Sequence, residues 1–275
     1  MAAELARSSA SVWSKFGLGF ITGTDWDPIA DKFGALPFIY GTLVSSAVAL
    51  AIAIPLGVGS AIFLAELASP RVSAICTFFI ELLAAIPSVI LGLMGIFILV
   101  PAVRAVEPSL VKWLGFLPLF RGAPYGVGLL TAGLILSLMI LPYITVITRE
   151  VLLQVPRPLQ EGMLALGATH WETVWKVCLP YARPGVIGAV FLSLGRALGE
   201  TMAVTMVIGN TPKISASLLD PSYTMAAVIA NELAEAAGDL HLASLVAIGL
   251  SLMMITVVIN GAARLMLYRL GEGRR

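Results

Sequence analysis

Long apolar runs separated by short polar segments dominate the chain. A spanning helix needs about 20 predominantly apolar residues, and five runs meet that length: residues 39–65, 73–103, 126–148, 184–207 and 241–267. The second run is longer than a bilayer requires, so we predict that it tilts or breaks, with Pro87 as the break point. Small residues at helical spacing, such as Gly195 and Gly199, favour close packing of the helices. The pattern predicts an all-α polytopic membrane protein, a helix bundle whose transmembrane domain covers residues 36–270.

Residues 1–35 do not fit this pattern. Lys15 and several glycines interrupt the apolar patches before Asp25, so the segment is too short to span. We predict an interfacial or partial helix that carries Trp13, Phe16 and Phe20.

Composition and net charge agree with a membrane protein. The chain has 275 residues, of which 59% are hydrophobic and only 12% charged, whereas soluble domains carry about 25% charged residues. Its mean hydropathy is +0.96. The net charge of +1 gives no support for nucleic-acid binding.

The sequence offers no candidate catalytic centre, metal site or cofactor site. Cys76 and Cys178 have the spacing of neither a metal site nor a disulfide framework. His170 and His241 are the only histidines, and they lie far apart in the sequence without clustered partners. None of the five lysines follows a glycine, so the chain has no P-loop, and we do not expect it to hydrolyse ATP itself.

A segment rich in turn and capping signals, residues 157–181, lies between the third and fourth runs. Pro158 suits the first turn of a short helix, which Gly167 can end as a left-handed residue. Thr169 and Glu172 have the spacing of a capping box for a second short helix, which we expect to run to Leu179-Pro180. The two helices form a compact knob with an apolar side made of Leu164, Leu166, Trp171, Val174 and Trp175. Spacing alone leaves open a simple interfacial hairpin that only links two spans.

The fourth run contains two charges near its middle. Arg196 lies about 18 Å along a helix from Pro184, which is near the midplane of a core about 30 Å thick. Glu200 would share its helix face at a spacing of four residues. Inserting an Arg at this depth of the bilayer costs about 2.5–3.5 kcal/mol, so the pair indicates a specific role. One role is an anion pathway, since the planar guanidinium matches phosphate oxygens. The other is an ion pair that fixes helix packing. Glu81 is a third intramembrane charge and a plausible partner of Arg196.

The segment 157–181 also resembles the cytoplasmic coupling motif of importer-type ABC transporter permeases, E-A-A-x3-G-x9-I-x-L-P. Gly162 and Met163 replace its two alanines and Val177 its isoleucine, while Glu161, Gly167 and Leu179-Pro180 keep their spacing. The stretch from Gly195 to Val204 closely resembles a permease subunit of bacterial phosphate importers, as do residues 36–43 and 81–88. The resemblance runs from about residue 25 to the C-terminus and favours this subunit over the paired permease PstA.

The resemblance implies a fold, a function and site residues. The fold would be the type I permease helix bundle of the binding-protein-dependent transport system inner-membrane family, with cytoplasmic coupling helices. The function would be passage of inorganic phosphate across the bacterial inner membrane. The intramembrane charges Arg196, Glu200 and Glu81 remain the candidates for the substrate pathway. For coupling to the ATPase, the resemblance implies Glu161, Gly167, Leu179 and Pro180, to which the capping pair Thr169 and Glu172 is added.

The same resemblance implies partners besides the membrane lipid: a second permease resembling PstA, an ATPase dimer resembling PstB and an external phosphate-binding protein resembling PstS. Three alternatives stay open: an importer of sulfate, molybdate or phosphonate, a proton-coupled secondary transporter, and a scaffold that transports nothing. The coupling motif opposes a secondary transporter, which has no ATPase to dock, and a scaffold would not need charges at the midplane.

Basic residues set the expected orientation. Residues 149–183 and the C-terminal arginines, Arg264, Arg269, Arg274 and Arg275, are placed in the cytoplasm, and the acidic loop 208–240 outside. This count places the N-terminus outside. The family commonly has one more helix ahead of the first span, which leaves the N-terminal topology open.

Overall fold

The computed structural model describes residues 2–236 and 238–272, so Arg274 and Arg275 lie outside the described residues. The helices are α1 (Ala2–Ser8), α2 (Ala10–Phe16), α3 (Gly19–Thr22), α4 (Leu36–Ile62), α5 (Pro70–Ala85), α6 (Ser88–Met94), α7 (Val100–Leu114), α8 (Leu129–Leu153), α9 (Arg157–Ala165), α10 (His170–Thr173), α11 (Leu179–Leu198), α12 (Met202–Val207), α13 (Met225–Glu232) and α14 (Asp239–Glu272). Strands β1 (Trp26–Asp27) and β2 (Lys32–Phe33) form an antiparallel hairpin.

Short non-α turns connect several of these helices. A π-helical turn, Phe63–Leu67, extends α4, and two others, Gly95–Leu99 and Val174–Cys178, join α6 to α7 and α10 to α11. A 3₁₀ turn occupies Pro118–Phe120. As a result, five helices of the described chain are long and apolar enough to cross a membrane: Leu36–Leu67, Ser88–Leu114, Leu129–Leu153, His170–Leu198 and Asp239–Arg269.

The run 73–103 is not one helix. Helix α5 ends at Ala85 and α6 begins at Ser88, on either side of Pro87. The backbone of Ile86 is extended, with φ −65° and ψ 127°, because the ring of a following proline disfavours the helical conformation. The spanning helix therefore starts after the proline and continues to Leu114, beyond the expected end at residue 103.

The run 184–207 also differs from its expected form. Its helix begins at His170, ends at Leu198, and is followed by the separate helix α12. The expectation that a second knob helix ends at Leu179-Pro180 is therefore wrong. Pro180 lies in the first turn of α11, directly after a π-helical turn, where its missing N–H group is tolerated.

The described residues divide into two compact units. Of the described residues, the first unit takes those within Met1–Ala49, Pro87–Leu136 and Ala197–Val258, and the second takes those within Leu50–Ile86, Ser137–Arg196 and Ile259–Arg275.

The N-terminal segment belongs to the core of the first unit. Phe20 and Phe33 are buried with Val228 of α13 and Ile248 of α14, and the rings of Trp13 and Phe16 pack against the same cluster. Trp26 donates its indole N–H to Glu232 at 3.0 Å. The aromatic side chains assigned to an interfacial helix are therefore anchored on protein.

The second unit is built on close helix contacts around α8. A Cβ added to Gly57 of α4 would lie 2.8 Å from a methyl group of Ile144, and one added to Gly185 of α11 would lie 2.5 Å from Val151. The residues Ala61, Leu152, Val174 and Cys178 are buried in one cluster, against which Val151 packs. Small residues thus let three helices approach as closely as intramembrane packing requires.

Candidate functional site

The first half of the knob ends in a glycine-terminated helix. Gly167 has φ +84°, its N–H donates to Leu164 O at 3.0 Å, and the N–H of Ala168 donates to Met163 O at 3.2 Å. This pair of bonds is the Schellman arrangement, which requires a left-handed residue at the glycine position. A Cβ at Gly167 would meet no atom within 4 Å, so backbone conformation, and not space, accounts for the glycine.

The second half begins with the capping box. The Thr169 hydroxyl accepts the Glu172 N–H at 3.2 Å, and Glu172 Oε2 accepts the Thr169 N–H at 2.9 Å. Glu172 also pairs with Lys176 at 3.5 Å. These local hydrogen bonds satisfy backbone groups at the C-terminal end of α9 and the N-terminal end of α10, and they give the knob a defined shape.

The surface of the knob is apolar and exposed. Leu166 is 85% exposed, and Trp171 and Trp175, which are in edge-to-face contact at 5.9 Å, are each about half exposed. Val174 does not belong to this surface, because it is buried in the core of the second unit and holds the knob to the membrane helices.

The other coupling candidates lie at two places. Glu161 is exposed on α9 and makes no hydrogen bond or ion pair with any described residue. Leu179 packs against the core of the second unit, and the adjacent Pro180 is exposed. Glu161 and the three large apolar side chains are thus each exposed on the segment 157–181, while Leu179 and Val174 pack into the core of the second unit.

Arg196 is exposed near the end of α11 and lies on an aromatic ring. Its guanidinium carbon is 4.7 Å from the ring centroid of Tyr143 on α8. That distance is within the range of cation–π attraction, which extends to about 6 Å. Sequence reasoning missed Tyr143, since an isolated tyrosine in an apolar run carries no signal of its neighbour on another helix.

Glu200 does not share a helix face with Arg196, contrary to the expectation from spacing. Helix α11 ends at Leu198, and Glu200 lies in the break before α12. Its carboxylate accepts the N–H of Ala203 at 3.4 Å, at the start of α12. Gly199 favours the break because glycine is a weak helix former, and the carboxylate stabilises the first turn of the following helix.

Glu81 and Tyr143 line one cavity of about 330 Å³ between α5 and α8, whose other walls are apolar. The ion pairs seen within the described residues do not include one between Glu81 and Arg196. The structure therefore brings both charges to the same tyrosine, with Arg196 on its ring and Glu81 in the cavity that it lines.

A second contact missed by sequence reasoning ties the knob end of α8 to α5. Buried Ser73 donates its hydroxyl to Leu64 O in a π-helical turn at 2.8 Å, and Arg149 Nε donates to the Ser73 hydroxyl at 3.3 Å. This network links three helices of the second unit at the level of the third span's end.

Comparison with known proteins gives a consistent picture. The model of the family "Binding-protein-dependent transport system inner membrane component" matches residues 53–271. The chain is 49% identical to the phosphate transport system permease protein PstC of Mesorhizobium japonicum, over 98% of this chain and 84% of that protein. It is 48% identical to the PstC protein of Pasteurella multocida, over 99% and 87%.

Solved structures agree at the level of the fold. An inward-facing structure of the MetNI methionine ABC transporter is similar with a TM-score of 0.59 at 19% identity, covering 86% of this chain and 94% of that chain. A bacterial ABC transporter involved in the import of alginate is similar with a TM-score of 0.57 at 18% identity, covering 91% and 88%. The predicted fold class, an all-α polytopic permease bundle, is confirmed.

Proposed function

Since the chain belongs to the binding-protein-dependent transport system inner membrane component family, we propose that it is the permease subunit through which an ATP-driven importer moves inorganic phosphate across the bacterial inner membrane. As a member, it is a multi-pass inner-membrane protein and a permease, not a catalytic subunit. The phosphate cargo is supported by relatives named PstC that are 48–49% identical over nearly the whole chain.

The connection between the knob and Arg196 supports the coupling of ATP hydrolysis to transport. The second half of the knob and Arg196 lie on one continuous spanning helix, His170–Leu198, which includes the π-helical turn Val174–Cys178. From His170 to Arg196 this helix rises about 39 Å, so the knob and the arginine are joined by one helix. A docking surface and an intramembrane cation on one helix support an ATP-driven pathway.

Arg196 supplies the chemistry of the pathway. Its guanidinium is permanently charged and presents parallel donors that match the oxygens of phosphate. Its exposed position leaves these donors open, while the ring of Tyr143 holds the group by its face. The break at residues 199–201 supports the same reading, because non-helical backbone at membrane depth is tolerated where it is buried in protein or lines a polar cavity.

The knob is the proposed site for the ATPase. Glu161 and the exposed side chains of Leu166, Trp171 and Trp175 form the contact surface, and the glycine turn and capping box keep its shape. The proposed partners are an ATPase dimer resembling PstB, which hydrolyses the ATP, a second permease resembling PstA and an external phosphate-binding protein resembling PstS.

Uptake of radiolabelled phosphate by proteoliposomes containing the complete complex tests this function. Arg196→Gln should abolish uptake while the complex assembles and retains its basal ATPase activity, and Arg196→Lys should retain only part of the rate because Lys lacks the bidentate fork. Competition by sulfate and molybdate separates phosphate from the other oxyanions. Near wild-type uptake by the Arg196→Gln/Glu200→Gln double variant would show that these charges serve packing alone and contradict the pathway.

A further inference from the structure

An apolar groove of about 830 Å³ runs along the second unit between α4 and the helix formed by α10 and α11. Its upper walls include Ile54, Val58, Val186 and Ile187, and Trp175 lies at the other end. Arg183 is the one basic side chain among the lining residues. The groove is separate from the cavity shared by Glu81 and Tyr143.

The depth of the groove follows if Arg196 lies near the midplane, which is the depth expected from its sequence position and on which the proposed pathway rests. Ile187 lies nine residues before Arg196 and Arg183 lies thirteen residues before it, which corresponds to about 14 Å and about 20 Å along the helix. Half of a hydrocarbon core is about 15 Å. Ile187 is therefore just inside the hydrocarbon, and Arg183 is at the level of the cytoplasmic headgroups.

The charge of Arg183 has no protein partner within the described chain. The ion pairs and side-chain hydrogen bonds of the described residues do not include it, and its neighbours one turn away, Leu179 and Ile187, are apolar. Its side chain leans toward the N-terminus of α11, which is the cytoplasmic end. An unpaired guanidinium at headgroup depth beside an apolar groove is complementary to an anionic headgroup attached to an acyl chain.

We propose that this groove binds one anionic phospholipid of the cytoplasmic leaflet. Arg183 donates to the lipid phosphate, and an acyl chain lies against Ile54, Val58 and Ile187. A soluble ATPase cannot fill the groove, because its upper walls lie inside the hydrocarbon, about 20 Å along α4 from the helix end at Leu67. The bound lipid contacts α11, which is part of the same helix that carries the second half of the knob and Arg196.

Native mass spectrometry of the complete complex, released from nanodiscs of equal parts phosphatidylglycerol and phosphatidylcholine, tests the proposal. Gly59→Leu should fill the groove and remove the retained lipid, since Gly59 lines it and a Cβ there meets no atom within 4 Å. Gly188→Leu is the matched control, because its Cβ is equally free but it does not line the groove. Arg183→Gln should lower the preference for phosphatidylglycerol about fivefold, the value of one basic residue at a charged membrane surface.

Lipid retention is measured without transport, so its result is independent of the proposed phosphate pathway. Equal retention of phosphatidylglycerol by wild type and Gly59→Leu would overturn the lipid site. Loss of the ATPase subunits from Gly59→Leu with unchanged lipid would also overturn it, since the groove would then belong to the ATPase contact.

Discussion

Tyr143 should control uptake through its contact with Arg196. The substitution that removes the ring is Tyr143→Leu, which keeps an apolar side chain of moderate size in the membrane. Tyr143→Phe keeps the aromatic face at the same distance and removes only the hydroxyl. If the guanidinium is held by the ring, the first variant should lose uptake and the second should not.

The magnitude follows from the geometry. The guanidinium carbon lies 4.7 Å from the ring centroid, and a cation–π contact contributes about 0.5–1 kcal/mol at exposed sites and about 2 kcal/mol where water is excluded. At about 1.4 kcal/mol for each tenfold change, the equilibrium constant for positioning Arg196 falls roughly 2- to 30-fold in Tyr143→Leu. Uptake at subsaturating phosphate should fall by up to this factor, while Tyr143→Phe should remain within about twofold of wild type.

The assay is initial phosphate uptake by proteoliposomes of the complete complex, with basal ATPase activity and the melting temperature of the complex as controls for assembly. Wild-type uptake by Tyr143→Leu would refute the positioning role. Equal losses in the Phe and Leu variants would also refute it, because the hydroxyl and not the aromatic face would then be responsible.

Two other predictions concern the knob and the topology. Gly167→Val should uncouple ATP hydrolysis from uptake, because Gly167 has φ +84° and a left-handed conformation costs a non-glycine residue roughly 1–2 kcal/mol. Gly162→Val, at a helical position where a Cβ is equally unobstructed, should couple normally, and equal behaviour of the two variants would argue against a role for the turn. Cysteines at exposed Ala165 and exposed Ala216, in a chain lacking both native cysteines, should react with an impermeant thiol reagent from opposite sides of the membrane, and labelling of both from outside would contradict the orientation.

Local physical causes were readable from the sequence. The long apolar runs indicated a membrane protein and gave approximate positions for most spans, since a helix needs about 20 apolar residues to cross the bilayer. The capping box at Thr169 and the left-handed Gly167 depend on residues within a few positions of each other, and both are present as predicted. The proline at residue 87 acts on its immediate predecessor and therefore breaks the second run where expected.

Other features were decided only by tertiary structure. Spacing placed Glu200 beside Arg196, but the helix ends between them and Glu200 instead accepts a hydrogen bond at the start of α12. Val174 matched the apolar surface of the knob, but contacts with α4 and α8 bury it. The partner of Arg196 is a ring 53 residues earlier in the chain. Hydropathy and local hydrogen bonds depend on residues that are close together in the sequence. Contacts between helices depend on which helix faces pack together, and the pattern of a single sequence does not show which faces these are.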